Sequence, residues 1–421
     1  MKTNTTNHIT TIKTEKFKTT LIRVSFKAKL EKETITERIL LANILRNSSE
    51  KFESKKALSA HLEDLYGASL SVSAKKQGQT HTLNFYIQVV NEKFLKSAPP
   101  LFESALKTLS EVIMNPKVEN AAFDAEIVNL ESRLLKEDIE SIYDDKTTYA
   151  LRKMQSKMCE TENFGISGEG YAEDLANINE KTLFATYESM LNNDEVSITI
   201  IGDIEHSDIV QLIDANFNLK SEMRTELNAV DKEEKEIQAL TVFAEQQKVN
   251  QAKLNIGYRT SVRIGDEDYF AALIFNGVFG GHPSSKLFTN VREKESLCYY
   301  VLSQLDSFKG LMYVYSGLDL SQVEKAKEII DKQLEDICSG NITAQELQLA
   351  KNAYINSKRS ALDSASGMLA NLESELLLGL TTSEFIERLE NVTAAEVSKV
   401  AQKIQKDTVF TLEPNNAEVS A

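Results

Sequence analysis

Histidine spacing is the first test for a catalytic metal site in this chain. Two imidazoles can bind one ion when they lie four residues apart on a helix, because such positions share a face. The sequence contains five histidines, at His8, His61, His81, His206 and His282. No two of them have that spacing, and His61-Leu62-Glu63, the nearest approach to a site, lacks a third ligand. The histidines therefore predict no metal site.

The cysteines and serines form no catalytic pattern either. Cys159, Cys298 and Cys338 are odd in number, widely spaced and free of any C-x-x-C pair, which argues against a disulfide framework and against a cysteine zinc site. No G-x-S-x-G element marks a serine nucleophile. A self-sufficient hydrolase is the least favoured class of protein.

Charge and hydropathy exclude two classes of partner. The net charge is -15 and no block of Lys and Arg occurs, whereas nucleic acids and anionic lipids attract basic patches. Residues 1–6 are polar, and no apolar run approaches the roughly 18 residues of a membrane span. We expect a cytoplasmic protein that neither binds nucleic acid nor crosses a membrane.

Periodicity predicts the same order of elements twice. In the first half, the predicted elements are a strand at 24–29, helices at 36–47 and 57–66, a strand over 83–89, and helices at 92–114 and 118–141. In the second half, they are a strand at 253–258, helices at 266–279 and 285–294, a strand pair ending at 311–316, and helices at 321–338 and 343–361. The repetition indicates duplication.

The pattern predicts an α+β fold of two duplicated domains. The domains are expected at residues 1–220 and 241–421, and each is a mainly antiparallel sheet covered on one face by helices. The charged segment 221–240 between them is expected to be a solvated linker. Two such domains could form a clamshell half-chamber around a chain-like ligand.

A motif in the second half resembles a known superfamily. Residues 280–288 read GGHPSSKLF, residues 291–294 read VREK and residues 296–301 read SLCYYV. This series resembles the Gly-rich turn, helix and strand of the insulinase, pitrilysin and mitochondrial processing peptidase superfamily. In the first half, residues 62–68, LEDLYGA, resemble the element that follows the metal helix of that superfamily. The resemblance covers nearly the whole chain.

The resemblance implies that this chain has lost its zinc site. Active members bind zinc with an H-x-x-E-H helix, whose Glu is the general base, and with a distal Glu. Counting back from Leu62 places the two histidines at Leu40 and Ile44 and the Glu at Asn43. None of these side chains replaces the lost ligand or base, so no cofactor is expected in this chain.

The distal Glu of the resemblance falls near Glu126 and Glu131. Without the histidines, both are expected to be solvated residues of a helix.

The resemblance also implies two substrate-binding residues, Arg292 and Tyr299. A guanidinium and a phenol both donate hydrogen bonds suited to a substrate carbonyl. The alternative is a surface ion pair of Arg292 with Glu293 or Glu295, and a tyrosine packed on a sheet. Tyr300 is an alternative to Tyr299, because alternation along a strand turns only one of the two toward a cavity.

The pair Gly280-Gly281 has two interpretations. It is either a turn that requires positive φ or a flexible loop that touches peptide.

Two functions remain open. The first is a non-catalytic, substrate-binding or regulatory subunit of a heterodimeric zinc peptidase for short or unfolded peptides, with zinc in an insulinase-like paralogue. The chain resembles the zinc-free subunit of such bacterial pairs, of the Gram-positive type named for modification of elongation factor P. The alternative is a peptide-holding or structural protein without a role in proteolysis.

Overall fold

A computed structural model describes residues 2–6, 8–97, 99–217 and 227–415. The chain divides into two compact units. The first comprises residues 1–140, 166–229 and 363–369, and the second comprises residues 141–165, 230–362 and 370–421. Each unit thus includes a segment that lies outside the range predicted for its domain.

The strands alternate with groups of helices. The strands are β1 (Lys2–Thr6), β2 (Ile9–Lys13), β3 (Thr19–Lys29), β4 (Ser69–Gln77), β5 (Thr80–Val90), β6 (Val118–Glu119), β7 (Ala122–Phe123), β8 (Glu195–Gly202), β9 (Thr241–Gln247), β10 (Ala252–Arg259), β11 (Cys298–Asp306), β12 (Leu311–Leu318) and β13 (Gln405–Pro414). The α-helices are α1 (Lys32–Leu45), α2 (Lys55–Asp64), α3 (Leu101–Met114), α4 (Ala125–Ser141), α5 (Lys146–Met158), α6 (Glu180–Asn193), α7 (His206–Asn216), α8 (Tyr269–Phe279), α9 (Val323–Cys338), α10 (Ala344–Ala361), α11 (Ala365–Leu378), α12 (Thr382–Asn391) and α13 (Ala394–Ala401).

Two predicted helices of the first half begin later than expected. Pro99 and Pro100 precede α3, because proline is disfavoured inside a helix but tolerated at its start. Before α4, the chain forms the short hairpin β6–β7, whose turn residues Asn120 and Ala121 have φ of 52° and 56°. Such left-handed residues are typical of a tight hairpin turn and interrupt a helix.

The first unit is built on a six-stranded sheet in the order β1-β2-β8-β3-β5-β4. β2 and β8 are parallel, and the other pairs are antiparallel. Leu83, Phe85, Ile87 and Val89 of β5 are all buried in the apolar core, as their alternation predicted. α1, α3, α6 and α7 contact the strands of this sheet.

The second unit is built on a five-stranded sheet in the order β11-β12-β10-β13-β9. Only β9 and β13 are parallel. Its larger core includes side chains of α8, α9, α10, α12 and α13. The α+β class with two mainly antiparallel sheets is therefore confirmed.

Helix α5 covers the other face of the second sheet, which corrects the expectation of one covered face. Met154 and Met158 of α5 form a separate apolar cluster with strand residues such as Tyr313 and Phe410. Gly257 makes room for them, since a Cβ added there would lie 2.6 Å from the sulfur of Met158 and 2.8 Å from that of Met154. A segment from the first half of the chain thus completes the second unit.

From Val230 onward, the charged segment is held by the second unit, which corrects the expectation of a solvated linker. Residues 221–226 lie outside the described residues, whereas Asp231 is buried and its N–H donates to the carbonyl of Phe308 at 2.8 Å. The Lys309 ammonium forms ion pairs with Asp231 at 2.6 Å and with Glu162 at 2.8 Å. Arg259 binds the second oxygen of Glu162 at 2.6 Å.

This buried network (Glu162, Asp231, Arg259 and Lys309) joins four segments that are distant along the chain. Lys309 is fully buried, and the side chain of Glu162 is 2% exposed. Burial by itself would raise the pKa of Glu162, but hydrogen bonds from Arg259 and Lys309 outweigh it and lower the pKa below its ordinary value. The network replaces water around each charge with fixed partners.

Across the residues that the structure describes, no helix combines the length and the apolar character that spanning a membrane requires.

Candidate functional site

Helix α1 determines what remains of a metal site. Leu40 and Ile44 are 0% and 3% exposed and belong to the apolar core of the first unit. Their side chains therefore do not face a cavity, as the ligands of a catalytic metal must. Counting back from Leu62 thus placed the two histidine positions at two residues that are packed in the core.

A set of polar residues lies three positions after Leu40, at the C-terminal end of α1. Asn43 is half-buried, Arg46 is exposed and Asn47 is buried just after the helix. The spacing of Asn43, Arg46 and Asn47 is the spacing of an H-x-x-E-H motif, shifted by three residues. The Asn47 side-chain amide donates to the carbonyl of Asn43 at 2.8 Å, so the two asparagines lie on one side of the helix.

Glu131 of α4 meets this pair. Its Oε1 accepts a hydrogen bond from the Asn47 amide at 2.8 Å. Glu131 is 6% exposed, and its Oε2 has no hydrogen-bond partner among the described residues. The expectation of a solvated side chain is therefore wrong for Glu131, whereas Glu126 is exposed.

The side chains at this position do not fit zinc. Zinc in proteins is bound by thiolates, imidazoles and carboxylates, and here one carboxylate faces amides. Across 2–6, 8–97, 99–217 and 227–415, no three His, Cys, Asp or Glu side chains are grouped to hold a metal ion. The sequence analysis missed the trio of Asn43, Asn47 and Glu131. The usable signal was a pair of asparagines four residues apart at the C-terminal end of α1.

His61 has a packing role. Its ring stacks on Phe52 with centroids 4.6 Å apart, and its Nε2 forms a hydrogen bond with the Thr108 hydroxyl at 2.9 Å. Burial lowers the pKa of His61, and the charge of Lys51 adds to the effect. These contacts account for His61 without a metal.

Arg292 lies in a π-helical turn, Phe288–Lys294, that precedes the edge strand β11. Such turns are frequent at functional sites. The Arg292 guanidinium lies 4.6 Å from the centroid of the Phe288 ring. Among the described residues it forms no ion pair with Glu293 or Glu295, and Glu295 is paired with Lys325 at 2.6 Å. Its donors are therefore free for a ligand.

Tyr299 and Tyr300 differ because β11 is irregular. Cys298 pairs with Leu318 and Tyr300 with Gly317, so Tyr299 is an extra residue without a partner in the ladder. Tyr299 is 67% exposed. Tyr300 is half-buried and its hydroxyl lies 3.2 Å from that of Thr147 on α5.

Gly280 and Gly281 permit close packing. Neither has a positive φ, and Gly280 is at -153°, so the expected left-handed turn is wrong. A Cβ at Gly280 would lie 2.7 Å from the Ser303 hydroxyl, and one at Gly281 would lie 2.4 Å from the Asn276 amide nitrogen. These glycines let the motif pack against α8 and β11.

Comparison with known proteins adds a family context. A family model described as "Peptidase M16 inactive domain" matches residues 177–354. The Bacillus subtilis (strain 168) protein "Probable inactive metalloprotease YmfF" is 36% identical over 413 residues, which are 97% of this chain and 95% of that protein. "Uncharacterized zinc protease YmxG" from the same strain is 28% identical over 291 residues, 68% of this chain and 69% of that protein.

Solved structures show the same architecture. A conserved protein from Enterococcus faecalis V583 matches with a TM-score of 0.90 and 34% identity, over 97% of each chain. A structure from Pseudomonas fluorescens titled as a peptidase M16 inactive domain matches with a TM-score of 0.80 over 99% of this chain and 98% of that one. At 17% identity, the second match supports the fold alone.

Proposed function

Since this chain belongs to the M16 (insulinase-like) peptidase family and is a homologue of a protein named "Probable inactive metalloprotease YmfF", we propose that it is a non-catalytic, peptide-binding subunit. We further propose that it pairs with a zinc-bearing member of the family to process short or unfolded peptides. The hydrogen bond between Asn47 and Glu131 carries the first part of the proposal. An amide occupies the position from which a ligand imidazole would reach zinc.

The degenerate site then comprises Asn43, Arg46, Asn47 and Glu131. In this register, Asn43 and Asn47 occupy the positions of the two histidines. Arg46 occupies the position of the general base, and Glu131 occupies that of the distal ligand. The packing of Leu40 and Ile44 in the core supports this register. At the C-terminal end of α1, Asn43 is half-buried and the C-cap residue Arg46 is exposed.

A partner would supply the zinc. Bacillus subtilis has both a relative named as an inactive metalloprotease and a relative named as a zinc protease, so members of both kinds occur in one organism. Cys159, Cys298 and Cys338 form no disulfide among the described residues, and we place the proposed pair in the cytoplasm.

Arg292 and Tyr299 are proposed to bind the peptide. Both side chains are exposed at the edge of the second sheet. In the described part of the chain, neither the guanidinium nor the Tyr299 hydroxyl has a hydrogen-bond partner within the protein. Charge-assisted donation from a guanidinium to a peptide carbonyl is stronger than donation between neutral groups.

In the reconstituted pair, Arg292→Ala is expected to lower kcat/KM for peptide cleavage about 100-fold, and Tyr299→Phe about tenfold, because each removes a donor to the scissile region. Steady-state cleavage of a fluorogenic peptide measures both effects. Arg359→Ala on α10 and Tyr66→Phe, which are exposed side chains elsewhere, are the matched controls and should leave kcat/KM unchanged.

The assembly of each variant is checked by native mass spectrometry with the zinc-bearing relative. Unchanged cleavage by Arg292→Ala in an intact pair would contradict the proposed role of Arg292. Failure of the wild-type chain to associate would favour a peptide-holding protein that acts without this partner.

A further inference from the structure

A row of side chains crosses the second sheet beside the N-terminus of α5. Lys253 of β10 and Tyr300 of β11 both pair with Gly317 of β12, which lies between them. Since Gly317 has no side chain, the Tyr300 ring lies over it; an added Cβ would be 2.6 Å from Tyr300 Cε1. The Lys253 ammonium lies 5.4 Å from the centroid of that ring.

Helix α5 adds a second hydroxyl to the row. Thr147 Oγ1 lies 3.2 Å from the Tyr300 hydroxyl. Asp145 accepts hydrogen bonds from the N–H groups of Thr147 and Thr148, at 3.1 Å and 3.2 Å. It also accepts one from the Thr148 hydroxyl at 2.6 Å. The carboxylate of Asp145 is therefore engaged in capping the helix.

Lys253 is a half-buried cation without a counterion in contact. None of the described residues forms an ion pair or a hydrogen bond with its ammonium. Burial lowers the pKa of Lys253, and the charge of Asp145 acts in the opposite direction. Removing a charge from water without pairing it costs free energy, and an anionic ligand would offset that cost.

A neighbouring amide is also unsatisfied. Asn255 follows Lys253 on the same face of β10 and pairs with Tyr315 of β12. Asn255 is 1% exposed, and its Oδ1 accepts no hydrogen bond in the described residues. The Tyr315 ring lies next to the Tyr300 ring, with centroids 6.4 Å apart. The row therefore retains polar groups that the protein itself does not satisfy.

We propose that Lys253, Tyr300 and Thr147 form a subsite that binds a carboxylate of the peptide ligand. The ammonium supplies charge, and the hydroxyl pair supplies one free O–H donor, because one of the two hydroxyls donates to the other. The carboxylate is either the C-terminus of the peptide or an Asp or Glu side chain. This inference rests on the proposed peptide-binding function and specifies which peptides are preferred.

The charge of the rest of the protein sharpens this preference. The chain has a net charge of -15, so its surface repels acidic peptides except where a cation is exposed.

Fluorescence polarisation with the full-length chain tests the subsite. The probes are a labelled peptide with a free C-terminus and one internal Glu, its C-terminal amide, its Glu→Gln form, and the form with both changes. The probe that keeps both carboxylates is expected to bind about tenfold more tightly than the probe that lacks both. The two single changes show which carboxylate is bound.

Lys253→Met is expected to abolish this tenfold preference while the neutral probe binds as before, and Lys253→Arg is expected to retain it. Lys332→Met, an exposed change on α9, should have no effect. A preference that survives Lys253→Met, or its absence in the wild type, would overturn the subsite and leave peptide binding intact. Lack of binding to every probe would overturn the proposed function itself.

Discussion

A chain carrying Asn43→His, Arg46→Glu and Asn47→His is expected to bind about one zinc ion, with an apparent Kd below about 1 µM. The two imidazoles would share the side of α1 that meets Glu131, which already lies 2.8 Å from the Asn47 amide. Glu131 would then be the third ligand, and its unpartnered Oε2 is available for the ion. Metal analysis of the dialysed protein measures the effect.

The register predicted from the sequence provides the matched control. Leu40→His, Asn43→Glu and Ile44→His place the same three residue types at the same spacing, but two of them enter the apolar core. This variant is expected to bind no stoichiometric zinc and to be less stable. Adding Glu131→Gln to the first variant should remove its zinc. Zinc binding by the control alone would show that the register based on Asn43 and Asn47 is wrong.

Lys309→Met is expected to lower the free energy of unfolding by about 3–5 kcal/mol. The change leaves the carboxylates of Glu162 and Asp231 buried without the cation that both contact. Urea denaturation followed by circular dichroism measures the loss. Lys136→Met is the matched control, because Lys136 is exposed and 3.8 Å from Glu140 in an i,i+4 pair that contributes about 0.5 kcal/mol or less. A loss equal to that of the control would contradict a stabilising network.

The contribution of Glu162 should depend on pH in one direction. Its pKa is lower in the folded protein than its ordinary value. The stabilisation is therefore fully present above the unfolded pKa, about 4.3, and is lost as pH falls through the folded pKa. Stability profiles of the wild type and Glu162→Gln should thus be separated at neutral pH and converge in acid.

The elements predicted correctly from the sequence are those in which apolar residues recur at a regular spacing. The alternation in β5 and the apolar face of α3 depend on local packing against one core, and both were recognised without a structure. The α+β class and the repeated order followed from these periods. α3 begins later than periodicity predicts because a proline pair precedes it, and α4 because a hairpin with left-handed turn residues precedes it. The spacing of apolar residues contains neither signal.

The candidate site was less predictable because burial of a polar residue depends on distant partners. From the sequence, Glu131 was predicted to be a solvated residue of a charged helix. It is instead buried against Asn47, which lies 84 positions away in the sequence. Asp231 lies in the segment predicted to be a solvated linker, but its carboxylate is buried and accepts a hydrogen bond from Lys309. Counting from Leu62 assumed a fixed interval to the metal helix. Because Leu40 and Ile44 are packed in the core, we propose a helix register shifted by three residues.

Peptide cleavage by the separated and mixed subunits tests the central claim most directly. This chain alone, a zinc-bearing M16 relative alone and their mixture are assayed on one peptide library, with and without a chelator. We predict cleavage only in the mixture and its loss on chelation. Chelator-sensitive cleavage by this chain alone, or equal cleavage by the zinc-bearing relative with and without this chain, would contradict the account.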